Sequence, residues 1–245
     1  FVQFAFGISH FRFQPDAEPY AVFPGAECID EAGNRLGRGV TVAEDLLGEG
    51  DALDQFYDVL RDGGMYCMVT WNKLYDARLF EGVRHDETMF FGDDANIMDK
   101  IYDGHRIVAT NKPLYLYRVR TGNMTSAAFS VKKLDDLRLY GSWVDFFAQK
   151  PDRADLYRRA VARYWQVFYL FYVHARKAGP LSPELKAGFA KHKKKLNGLL
   201  CAILHCPYVP AGEKLRAVLF VLSPEGCYRL AAARGSLHKE KEAGA

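Results

Sequence analysis

Cysteine is scarce in this chain of 245 residues: there are five, at Cys28, Cys67, Cys201, Cys206 and Cys227. An odd count without paired spacing argues against a disulfide framework and fits a reducing compartment. Cys201, His205 and Cys206 stand close together. No second ligand pair follows them, so they read as buried thiols rather than as a zinc site. No run of 18 uncharged apolar residues occurs, which leaves no membrane-crossing helix in these residues. A Gly-rich phosphate loop, a nucleophile elbow and a metalloprotease helix are also missing. Those absences set aside P-loop nucleotide hydrolysis, serine-esterase chemistry and zinc proteolysis. No Asp-x-Asp pattern lies next to an expected strand.

What is present is the composition of a soluble globular protein, 49% hydrophobic and 26% charged. The length suffices for a sizeable core. Aromatics reach 14%, mostly Tyr and Phe. Such side chains line sugar-binding and membrane-facing surfaces, although packing is their commoner use. The net charge of +3 hides an asymmetry. Residues 1–175 carry 20 Lys and Arg against 25 Asp and Glu; residues 176–245 carry 13 against 5. A basic tail behind an acidic body points to an anionic partner, here a membrane surface rather than nucleic acid.

The first run, Phe1 to Ile8, reads as a strand entered midway, and the natural protein is expected to continue upstream. Residues 14–40 hold three Pro and four Gly, and Glu31–Asn34 has the form of a hairpin tip. Thr41 to Leu60 reads as a helix opened by a Thr-Val-Ala-Glu capping box. Trp71 to Phe80 reads as a second helix with Trp71 in the core. A short third helix over Asp94–Asp103 has Ile97, Met98, Ile101 and Tyr102 as its apolar face. Arg106–Thr110 and Leu114–Arg120 read as two strands parted by Asn111-Lys112-Pro113. From Val131 onward the pattern is helical. Tyr157, Val161, Tyr164, Trp165 and Phe168 keep helical spacing, and Ser182-Pro183 opens a further helix as N-cap and first residue. Residues 235–245, small and charged, are expected to be disordered.

Three stretches carry the candidate chemistry. They are Thr70-Trp71-Asn72-Lys73-Leu74-Tyr75, Phe90-Phe91-Gly92-Asp93-Asp94, and Pro113-Leu114-Tyr115-Leu116-Tyr117-Arg118 leading into Thr121–Ser126. Asp93 and Asp94 stand at an expected helix start, where a carboxylate serves either as a cap or as a proton acceptor. Asn72 and Lys73 at a helix start either face a cleft or act as cap and solvated cation. Arg118 and Arg120 either meet phosphate oxygens or alternate along an edge strand. Asp86 and Glu87 extend the acidic group toward a metal cluster without completing one.

In order and spacing these stretches resemble the later half of the catalytic domain of family 2 glycosyltransferases, which have a nucleotide-sugar-binding GT-A fold. The resemblance covers roughly residues 65–130. One position departs: Gly92 stands where the family usually has Glu before its Asp, so the catalytic Asp falls on Asp93. The resemblance implies an α/β fold, a partial GT-A-like (Rossmann-like) domain over 1–130 lacking its N-terminal nucleotide-binding half. A helical region over 131–234 and a tail over 235–245 would follow. It implies transfer of a sugar from a nucleotide-sugar donor to a glycan or lipid-linked acceptor, with inversion, in cell-surface polysaccharide synthesis. Asp93 would be the general base, and Asn72, Lys73, Asp94, Arg118, Arg120 and Thr125 would bind substrate. A divalent metal, Mn or Mg, is expected for the full enzyme, with its ligand motif outside this chain. The chain by itself is then expected to be inactive. It would lie in the cytoplasm, peripheral on the inner membrane face through basic helices over 182–233.

Two rival readings fit the same residues. A non-catalytic glycan-binding or membrane-docking module of the same fold would explain Gly92. A metal-dependent phosphotransferase would use the acidic cluster, but no further motif supports it.

Overall fold

The computed structural model describes residues 20–61, 68–120 and 129–233. The chain divides into two compact units, Phe1–Ala128 and Phe129–Ala245. The expected opening strand, the loop over 121–126 with Thr125, and the tail over 235–245 lie outside the described residues.

The first unit is built on a mixed, five-stranded sheet in the order β2-β1-β5-β3. Strand β1 (Tyr20–Ile29) runs parallel to β5 (Arg106–Arg118), and antiparallel to β2 (Arg35–Val40). Strand β3 (Gly48–Asp51) pairs antiparallel with β5, and the two-residue β4 (Leu74–Tyr75) with β1. The expected hairpin tip is present between β1 and β2. There Gly33 has φ 95°, a conformation suited to glycine.

Three sequence expectations change here. Thr41–Leu60 is not one helix. Leu47 is followed by β3, and a helical turn over Ala52–Gln55 leads into α1 (Phe56–Leu60). Gly48 at φ 89° and the pairing of residues 48–51 with residues 106–109 prevent an earlier helix. Trp71–Phe80 is not a helix either. It contains β4 and then a short 3-10 turn, Ala77–Phe80, whose Arg78 amide donates to the Asp76 carboxylate. The two expected strands after Arg106 are one strand with a bulge, where the register against β1 jumps from Thr110 to Pro113. Asn111 leaves the ladder and bonds elsewhere: its Oδ1 accepts from Val42 N at 2.9 Å, and its Nδ2 donates to Val42 O at 3.1 Å. Gly25 lies opposite, where a Cβ would sit 2.7 Å from the Asn111 carbonyl.

Helix α2 (Met98–Tyr102), entered through a 3-10 turn at Ala95–Ile97, follows the expected register. Ile97, Met98, Ile101 and Tyr102 are all buried, and Tyr102 packs on Phe23 and Phe56 at 5.5 and 6.0 Å between ring centres.

The second unit is helical: α3 (Asp135–Ala148), α4 (Ala154–Lys177), α5 (Pro183–His205), α6 (Ala211–Leu222) and α7 (Pro224–Ala233). Helix α4 buries Leu156, Val161, Tyr164, Trp165, Phe168 and Val173, as a central helix must. Ser182 caps α5 by accepting from Leu185 N at 3.2 Å, with Pro183 in its first turn. Among the described residues no helix is long and apolar enough to cross a membrane.

Candidate functional site

The acidic turn is set by Gly92. At φ 70° it occupies the left-handed region, and its carbonyl accepts from Ala95 N at 3.1 Å. A β-carbon is disfavoured in that conformation, which gives the Gly in place of Glu a local backbone reason. The turn separates the two carboxylates. Asp93 is exposed, and its main-chain carbonyl meets His85 Nδ1 at 2.9 Å. Asp94 is half-buried, and its Oδ1 accepts from Thr70 Oγ1 at 2.6 Å. The Asp94 side chain makes no cap hydrogen bond to the turn that it opens. Its partner is a remote hydroxyl, so local capping does not account for this residue.

Thr70 begins the stretch that joins the site together. The next residue, Trp71, is half-buried rather than in the core. Its ring lies 4.7 Å from Tyr117 with 22° between planes, and 4.8 Å from Tyr115 at 37°. Tyr115 and Tyr117 alternate along β5 and so share one face of it. Burial pushes the Tyr115 hydroxyl above the ordinary phenol range. The three motifs, far apart in sequence, thus meet through Thr70–Asp94 and Trp71–Tyr117.

Asn72 and Lys73 answer to neither expectation made for them. Both are buried, at 2% and 5% exposure. Asn72 Nδ2 donates to the Pro24 carbonyl at 3.0 Å, and its Oδ1 accepts from Lys73 Nζ at 2.8 Å. The same ammonium donates to the Val69 carbonyl and stands 4.7 Å over the Phe23 ring. A buried cation without such partners would cost several kcal/mol (order of magnitude). These residues tie the Thr70 stretch to strand β1, and Lys73 is not a solvated cation.

Arg118 is exposed and donates from Nη1 to the carbonyls of Asp30 and Glu31, at 3.1 and 2.6 Å. It clasps the β1–β2 hairpin. Arg120 is exposed. Asp86 folds onto its own turn, accepting from Thr88 N at 3.0 Å. Burial raises the carboxyl of Asp99, in the first turn of α2. Among the described residues no group of three or more His, Cys, Asp and Glu could hold a metal ion. The described side chains therefore do not fit a resident divalent metal. In the helical unit Cys206 is buried with Sγ on the Arg158 carbonyl at 3.2 Å, while Cys201 is exposed. The expectation of buried thiols therefore holds for Cys206 and not for Cys201.

Sequence reasoning missed Thr70, Tyr115 and Tyr117 as members of the site. The alternation of tyrosines at 115 and 117 was a signal that they share a face. Nothing local could show that Thr70 reaches Asp94.

No family model matches the chain, and no solved structure matches it. A protein named glycosyltransferase GlyA, from Streptococcus pneumoniae serotype 4, is 41% identical to it over 73 residues. That segment is 29% of this chain and 10% of the relative, so the chain spans about a tenth of the length of the curated relative it matches. Part of this chain is thus related in sequence to a glycosyltransferase.

Proposed function

We propose that this chain is the acceptor-side part of a glycosyltransferase of the family 2 type, with a partial GT-A-like sheet unit followed by a helical unit. The observation that carries this reading is the 41% identity to a glycosyltransferase over 73 residues. The contacts that join the three motif stretches, Thr70 with Asp94 and Trp71 with Tyr117, support it.

In the proposed reaction an acceptor hydroxyl gives its proton to a carboxylate while its oxygen attacks the anomeric carbon of a nucleotide-sugar. The bond to the donor phosphate oxygen breaks, the electron pair leaves with the nucleotide, and the sugar configuration inverts. The motif register assigns the base to Asp93, whose exposed side chain is open to an acceptor. On that reading the Thr70 bond makes Asp94 the anchor of the turn. One observation favours a second reading with Asp94 as base: the Thr70 hydroxyl at 2.6 Å fixes the Asp94 carboxylate and leaves its second oxygen for the proton. Asn72 and Lys73 act from beneath, by holding Thr70 in place. Arg120, with Arg118 and Thr125, is the proposed contact for donor phosphates. The remaining donor contacts and the divalent metal are assigned to residues beyond those described, so the chain alone is expected not to turn over donor. Transfer from a panel of nucleotide-sugars, with and without Mn or Mg, tests the reading in a longer protein that includes this chain. Failure with every donor and acceptor would favour the binding-module alternative.

The basic helices over 182–233 are proposed to dock the protein on an anionic, cytoplasmic membrane leaflet, each Lys or Arg near the surface adding about 1 kcal/mol. Exposed Leu215, Leu222 and Leu230 support this. Co-sedimentation should occur with anionic vesicles, weaken with salt, and be absent with neutral ones. Equal binding to both, or to neither, would contradict it.

A further inference from the structure

Helices α4, α5, α6 and α7 border an open cleft of about 340 Å³ in the helical unit, large enough for a small ligand. Its walls include Phe168, Tyr172, Phe189 and Phe220. These rings pack on one another: Phe168 lies 5.8 Å from Phe189 and 5.6 Å from Phe220, and Tyr172 lies 5.3 and 5.0 Å from the same two. All four rings are buried, so they form the apolar floor beneath the cleft.

The polar groups around this cleft have one net sign. Lys186 and Lys193, two turns apart on α5, both line it. Glu225 lines it as well, but that carboxylate is engaged by Arg176, at 2.8 and 3.0 Å, and by Arg229 at 3.0 Å. Those guanidinium groups hold Glu225 down to about 2, so it stays ionised and already paired. The charge left to meet a ligand is positive. Leu222, also in the lining, is 75% exposed and extends the apolar surface outward.

We propose that this cleft binds a single-chain anionic amphiphile, with its hydrocarbon chain laid over Phe189 and Tyr172 and against Leu181 and Leu222, and its anionic head at Lys186 and Lys193. The site is independent of the transferase reading, because every residue in it belongs to the helical unit. The volume sets a chain-length limit, and the paired lysines set the sign of the head group. Each methylene buried is worth roughly fourfold in affinity until the cleft is full.

The test is calorimetric titration of the full chain with alkyl phosphates of increasing length, below their micelle concentrations. Dodecyltrimethylammonium serves as the chain-matched cation. Saturable one-to-one binding should strengthen by roughly fourfold per methylene and then level off. The cation should bind at least tenfold more weakly. Ala190→Trp, on the exposed side of α5 and in the cleft lining, should weaken dodecyl phosphate at least tenfold. Lys186→Glu with Lys193→Glu should reverse the preference in favour of the cation, a gain that misfolding would not produce. Absence of saturable binding, equal affinity for the two head groups, or undiminished binding by Ala190→Trp would overturn the proposal. So would self-association of the protein that Ala190→Trp abolishes, since a second copy would then be the occupant.

Discussion

The two units bury different things. Gln55, Asn72, Lys73, Asp76, Asn96 and Asp99, the buried polar and charged side chains among the described residues, all belong to the sheet unit. The interior of the helical unit is carried by Trp143, Trp165, Tyr164, Phe147, Phe168 and Phe220. Long helices satisfy their own backbone groups, so their packed faces need only be apolar. The sheet unit joins two long strands through irregular segments and single helical turns, and buried main-chain groups there take side-chain partners: the Pro24 carbonyl takes Asn72, and Val42 takes Asn111. Irregular backbone held by buried polar groups is also where the candidate chemistry sits, because such groups fix side chains at element ends.

The contrast predicts different failures. The largest effect on stability belongs to the apolar interior. Trp165 is fully buried, 5.6 Å from Phe220 and 5.5 Å from Tyr169. Trp165→Ala should cost about 3–5 kcal/mol in denaturant unfolding, mainly through the cavity it leaves. A cost below that of the polar substitutions would break the comparison.

Asn72→Ala comes next, at about 2–4 kcal/mol, because it deprives the Lys73 ammonium and the Pro24 carbonyl of a partner. Adding Lys73→Met should restore part of that loss, since removing both members of a buried polar pair costs less than removing one. A double variant as unstable as the sum of the two singles would show that the pair is not coupled.

The smallest effect is pH-dependent. Burial pushes Asp136, in the first turn of α3, up to about 6. Its folded value lies above its unfolded value of 3.8, so ionisation opposes folding. The associated stability is complete below about pH 4 and is lost as pH rises through 6. Asp136→Asn should therefore match the parent at pH 4 and exceed its stability at pH 8 by about 1–2 kcal/mol. No difference between the two pH values would contradict the assignment.

The same contrast explains what was legible in the sequence. The helical unit follows from period and punctuation: the spacing of Val161, Trp165 and Phe168, and the Ser182-Pro183 start. The α2 register was equally plain, because four apolar residues fall on one face. The segment 41–60 looked helical by its capping box and apolar spacing, yet residues 48–51 pair with a strand nearly sixty residues later. Nothing local encodes that partner. Likewise Asn72, Lys73, Asp93 and Asp94 stood out as residue types, but their roles depend on Pro24, Phe23 and Thr70 across the sheet. Period reveals which face is buried; it does not reveal which remote carbonyl a buried amide will meet.

The central claim is that the acidic turn at residues 93–94 carries the base of a glycosyl transfer. The direct measurement is turnover of Asp93→Asn and Asp94→Asn, side by side, in a protein active in transfer that contains this chain. Tm is recorded for each. The account predicts that Asp93→Asn lowers kcat by about 10²–10⁴-fold with little change in Tm, and that Asp94→Asn costs much less activity while lowering Tm through the weakened Thr70 bond. The reverse order of losses would move the base to Asp94. Near-parental activity in both variants, or losses that merely follow Tm, would contradict the claim.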